Sequence, residues 1–251
     1  MTIEEMLRTG AVRTANNGLM YAVVAPEEGV AEADERGLER MVEAVPRALL
    51  PRLGRAVCYF VPWLYKQRRS VLVGTAPAAE GENRKELCHH LDVKPAGNLL
   101  LISLKFYEHD SYGLAMEFFD KTAYLATLES PAGDDFDALL RRQLGEGKPG
   151  ELTPEAWEWR ESAKKEGDAA AEAWLNYRRA AETDALGLYT ASLYTDVFYE
   201  DLFEDDPGFP PLEAEQVYER VRAVERLYPP NRGYSLQIVR QRPRRRPPAA
   251  R

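Results

Sequence analysis

The chain has 251 residues, 45% hydrophobic, 29% charged and 10% aromatic, with a formal net charge of −8. The apolar fraction excludes a disordered chain, and no run approaches the ~18 uninterrupted apolar residues of a membrane span. Two cysteines, Cys58 and Cys88, cannot build a disulfide framework, so a reducing cytoplasm is the expected location. The acidic start, Met1 to Glu5, has no apolar run behind it and predicts no signal peptide.

The first element is a hairpin. Asn17-Gly18 tolerates the positive φ angles of a tight turn, and apolar segments flank it at 11–14 and 19–24. From about Glu28 to Leu50, Leu38, Met41, Val42, Val45 and Leu49 recur at helical spacing. Pro46 should kink that helix and Gly54 should close it. Residues 55–65 alternate with both faces apolar, which predicts a strand covered on both sides. Pro62 there argues for an edge or a bulge. A polar turn at 66–69 leads to a second strand over 70–73, and 82–91 reads as a short helix.

Three strands are expected next, as a meander: 100–106, 112–118 and 122–128, with turns at 108–111 and 119–121. The second rests on the alternation of Tyr112, Leu114, Met116 and Phe118. Beyond Pro131 the texture changes to helix. The spacing predicts helices over 134–144, 154–165, 168–203 and 213–228, with Thr153-Pro154-Glu155 as a capped start. A last strand over 234–239 should return to the front sheet. The fold class is therefore α+β: an antiparallel-rich sheet built mainly from residues 1–130, packed with helices, and a mostly helical part over 131–239, forming one integrated domain. Residues 240–251 are a basic Arg/Pro tail.

Charge is uneven along the chain. Residues 1–130 carry a net −3, residues 131–239 a net −11, and residues 240–251 a net +6. An acidic body repels phosphates, so nucleic acid is a partner for the tail alone, through Arg242, Arg244, Arg245 and Arg246. The prolines around these arginines hold the backbone extended.

The three histidines cluster in sequence with a cysteine. Cys88, His90 and His109 are candidate metal ligands if a helix near residue 88 packs beside the turn at 108–111, because thiolate and imidazole are what zinc-class ions take. The same residues invite a thiol-nucleophile reading. No phosphate-loop, dinucleotide or zinc-protease motif is present. Asp196, Glu200 and Glu204 recur one helical turn apart, with Asp201 beside them, interleaved with aromatics. Such a face suits solvent, a partner protein or a divalent cation. Trp157 and Trp159 lie two apart, so one helix cannot bury both on one face.

These features rank three functions. The first is a non-enzymatic interaction or assembly protein, a subunit of a larger complex. It would use the acidic-aromatic segment, the Trp157/Trp159 pair and the basic arm toward a protein partner or a second copy. The second is a metal- or thiol-dependent enzyme built on Cys88, His90 and His109. The third is a nucleic-acid accessory protein using the tail. No cofactor is favoured, a divalent metal being the candidate, and no membrane association is expected.

Overall fold

The computed structural model describes residues 1–9, 11–24, 32–78, 84–128, 131, 133–165, 169–198, 202 and 213–239. In chain order the elements are α1 (Ile3–Thr9), β1 (Arg13–Thr14), β2 (Met20–Val23), α2 (Glu32–Ala44), α3 (Leu50–Leu53), β3 (Val57–Val61), β4 (Trp63–Gln67), β5 (Ser70–Gly74), β6 (Lys85–Glu86), β7 (His89–Lys94), β8 (Gly97–Ser103), α4 (Ser111–Thr127), α5 (Asp134–Glu146), α6 (Pro154–Ala163), α7 (Ala170–Tyr194), β9 (Val197–Phe198), α8 (Ala214–Leu227) and β10 (Ile238–Val239). The class is α+β.

The main sheet has five strands in the order β1-β2-β3-β8-β7. Its centre is parallel, β2 on β3 on β8, and antiparallel pairs close both edges. Alternation along the strands sends side chains to two cores. Tyr21, Cys58, Phe60, Leu100 and Ile102 face the helices, while Ala22, Tyr59, Val61 and Leu101 face Met6 of α1 and the small sheet β5-β4-β6. The expected strand over 55–65 is two strands in two sheets, β3 and β4, and its β3 part is covered on both sides. Pro62 lies neither on an edge nor in a bulge. It follows the last ladder pair of the central strand, Val61 with Ser103, and marks where the chain leaves the main sheet for β4. Its missing N–H costs no ladder bond there.

Local chemistry accounts for the turns. Gly18 takes a φ of 100°, and buried Asn17 donates to Val42 O (2.8 Å) and Val45 O (2.9 Å), fastening the β1–β2 turn to the end of α2. Pro46 breaks the helical run, and the chain resumes as a short 3-10 turn and α3 before Gly54 ends it at positive φ.

Two regions of the front half take an element other than the expected one. Residues 82–91 hold no helix among those described. His89–Lys94 instead forms edge strand β7, in a hairpin with β8 through Pro95 and Ala96. An edge strand needs little apolar periodicity, and here Leu91 alone packs against the helix-side core. The second and third meander strands are one 17-residue helix, α4. Among its buried positions Ala115, Phe118, Phe119, Thr122, Ala123 and Ala126 recur at three and four, and Leu125 and Thr127 widen the buried face at its end. Asp110, read as a turn residue, is its N-cap and accepts from Gly113 N at 2.7 Å. Phe118 meets Phe60 of the sheet at 5.7 Å between ring centres, and α7 covers the other flank.

Helix α7 ends at Tyr194, short of the predicted 203, and the last strand pairs in parallel with β9 rather than with the front sheet. The C-terminal segment still reaches the front half: Asn231 donates to Glu43 O and Val45 O at 2.8 Å each, and Tyr234 OH to Arg40 O at 3.0 Å. Helices α5 to α8 are tied by a buried ionic network. Glu151 receives Arg220 Nη2 (2.8 Å), Tyr177 OH (2.7 Å) and Gly150 N (2.9 Å), with Arg160 Nε at 3.4 Å. Arg220 also donates to Gln143 Oε1 (2.7 Å) and Gly150 O (2.9 Å). No described helix is long and apolar enough to cross a membrane.

Candidate functional site

The hairpin β7–β8 and the helix that follows it bring one chemical cluster together. Register decides which residues join. His89 pairs with Ile102, which packs in the helix-side core, whereas His90 pairs with Leu101, which packs in the opposite core. His89 therefore faces α4, and His90 lies on the far side of the sheet near Asp92. Burial lowers the His90 pKa, and the Asp92 carboxylate only partly offsets it. His109 is exposed in the turn before α4. The expected set of Cys88, His90 and His109 is not what converges. Among the described residues the converging set is Cys88, His89 and Glu117.

The geometry is specific. Cys88 Sγ lies 3.3 Å from His89 Nδ1. The same Nδ1 forms an ion pair with Glu117 Oε1. Lys121, one helical turn past Glu117, sits 3.8 Å from that oxygen and 2.7 Å from Asp120 Oδ2. Tyr107, in the 3-10 turn between β8 and α4, lies against Glu117 and Cys88. Its burial, reinforced by both neighbours, pushes its pKa up. Burial alone would raise the Glu117 carboxyl, but His89, Lys121 and Tyr107 outweigh it and hold the group below its usual value. Lys121 is raised despite its burial because Asp120 and Glu117 favour the cation. The other cysteine is chemically quiet: Cys58 is fully buried, which pushes its thiol up to about 12.

A groove of about 760 Å³, lined by His89 of this cluster, runs between β7, α4, α6 and α7. Leu91, Val93, Tyr124 and Trp159 supply its apolar walls, and Lys121 and Arg179 its cations. Arg179 makes no ion pair with any described residue, and its Nε is buried without a hydrogen-bond partner among them. Asp184, at the groove wall, accepts from Leu152 N (2.8 Å), Thr153 N (3.2 Å) and Thr153 Oγ1 (3.0 Å). Burial pushes its pKa up to about 7 against these bonds.

The partner-binding candidates are dispersed. Trp157 is half-buried with the Arg160 and Lys164 cations 5.0 and 5.6 Å from its ring, while Trp159 faces the groove, so the two indoles do not form one surface. Asp196 is exposed beyond the end of α7, so it does not stand on a helix with the acids that follow it. Glu200, Asp201, Glu204, Arg242, Arg244, Arg245 and Arg246 lie outside the described residues. Glu117, Tyr107, Lys121 and Arg179 were missed by sequence reasoning. The available signal was Asp110-Ser111 as a helix start, which puts Glu117 and Lys121 one turn apart on α4. No family model, curated protein or solved structure matches this chain.

Proposed function

We propose that the protein binds a small organic anion in the groove between β7, α4, α6 and α7. The observation that carries this is Arg179: a half-buried guanidinium on the wall of a 760 Å³ groove, with no acidic partner among the described residues. A partly buried, unpaired cation is costly, and a carboxylate or phosphate on the ligand would satisfy it through a charge-assisted fork. The groove acids do not compete for that role. Asp120 is held by Lys121, Asp184 is taken by three donors, and Glu155 is exposed at the rim. Trp159 and Tyr124 offer the ligand's carbon skeleton an apolar wall.

Trp159 makes the test direct. Titrating phenyl phosphate and benzoate should change the tryptophan fluorescence saturably, and Trp159→Phe should abolish the change. Arg179→Gln should weaken binding about 10- to 100-fold, the worth of one hydrogen bond to a charged group. No saturable signal, or equal affinity in Arg179→Gln, would refute the proposal.

A further inference from the structure

We infer that Cys88 Sγ, His89 Nδ1 and a Glu117 carboxylate oxygen form a binding site for a zinc-class divalent cation beside this groove. The inference stands on its own geometry and does not require the groove to bind an anion.

The three ligand atoms all lie within 4.8 Å of one another. A tetrahedral ion with bonds of roughly 2.0–2.3 Å holds its ligand atoms roughly 3.3–3.8 Å apart. The Sγ–Nδ1 separation of 3.3 Å is already at that spacing. The competing reading is a thiol–imidazole–carboxylate relay. That device needs the two ring nitrogens to serve different partners, one toward the nucleophile and one toward the orienting acid. Here both partners approach the same Nδ1. Convergence of both groups on one nitrogen is wrong for a relay; it gathers three zinc-type donors at one point, and an ion enters between them once Glu117 draws back from its direct contact with Nδ1.

The donor set selects the metal. One thiolate, one imidazole and one carboxylate suit zinc, whereas magnesium and calcium take six or more oxygens, which this cluster does not offer. A thiolate and a carboxylate also neutralise a doubly charged ion. Lys121 does not defeat this balance, because Asp120 pairs it at 2.7 Å. Support around the ligands is in place. Cys88 is anchored by Ser103 N donating to its carbonyl at 2.9 Å, His89 by the β7–β8 ladder, and Tyr107 stands beside both Cys88 and Glu117 to orient them. Three protein ligands leave a fourth position for water or a further ligand; of the three, His89 lines the groove. An ion held in this way lowers the pKa of a bound water and polarises an oxygen placed on it.

The test uses the untagged full chain, stripped with a chelator and titrated with zinc by calorimetry, with no groove ligand present. One equivalent should bind. Cys88→Ser, His89→Ala and Glu117→Gln should each weaken binding by more than the roughly 10–100-fold that loss of an outer partner costs. His90→Ala and His109→Ala should bind as the parent does. Cobalt guards against misfolded variants, since the parent itself should show a thiolate-to-cobalt charge-transfer band in the near ultraviolet. Absence of stoichiometric binding, absence of that band, or equal weakening by His90→Ala would overturn the inference. Failure of the anion proposal would leave all of these readouts unchanged.

Discussion

Replacing Glu151 by Gln should be among the most damaging single-atom changes in the helical half. The Glu151 side chain is fully buried, and its two oxygens meet Arg220, Tyr177, Gly150 N and Arg160. Glutamine keeps one acceptor and turns the other into a donor that faces donors. It also leaves two buried guanidiniums, Arg160 at 1% and Arg220 at 2% side-chain exposure, with no buried carboxylate between them. Breaking a buried pair from one side costs about 3–5 kcal/mol. For a chain of this size each kcal/mol moves Tm by about 2–4 °C, which gives a loss of about 6–20 °C. Calorimetry and guanidinium denaturation at neutral pH measure it. The pH dependence has a definite sign. Burial raises the Glu151 carboxyl, but Arg220 and its other partners outweigh this, so the folded pKa lies below the usual value of a glutamate. Its contribution is present above that value and fades as pH falls through the folded pKa, so parent and variant should converge in acid. A cost under about 1 kcal/mol at neutral pH would refute the reasoning, because it would mean the guanidiniums do not depend on this carboxylate.

Asp184 should behave oppositely. Its pKa rises from 3.8 to about 7 on folding, so the folded state keeps a proton that the unfolded state releases. The stability of the parent relative to Asp184→Asn should therefore fall by up to about 4 kcal/mol as pH rises across that window, and paired denaturation curves that stay parallel would contradict it. Asn17→Ala removes three bonds, to Val42 O, Val45 O and Leu19 N, and should cost about 2–4 kcal/mol in chemical denaturation. Gly97→Ala should cost about 1–3 kcal/mol, since its φ of 152° strains an L side chain and a Cβ would meet Arg55 O at 2.7 Å. A neutral result there would show that the β7–β8 turn is free to shift.

The parts of the fold that sequence reasoning recovers are those with local punctuation. Asn17-Gly18 marks its hairpin, Pro46 and Gly54 bound their helix, Thr153 caps α6 through Ala156 N at 3.3 Å, and the Val217, Val221, Val224 stripe marks α8. The failures have separate causes. Helix α4 is packed on two flanks, by the sheet and by α7, so apolar residues occupy most positions and Tyr112, Leu114, Met116 and Phe118 alternate by coincidence. Reading that stretch as strands hid the Glu117–Lys121 step. Reading residues 82–91 as helix then changed the geometry around Cys88, because on a strand His89 and His90 point to opposite faces. Cys88 was visible as a centre of chemistry, but its partners depend on a register that only the paired β8 supplies.

That the cluster and the groove act as one site is a proposal carried by His89, the residue common to both. It is tested most directly by the visible absorption spectrum of the cobalt-loaded protein as phenyl phosphate is added. The metal bands should shift saturably, with the same dissociation constant that the Trp159 fluorescence reports, because His89 belongs both to the cluster and to the groove wall. Bands that stay fixed while the fluorescence saturates would contradict it, and would separate the groove from the Cys88, His89 and Glu117 centre.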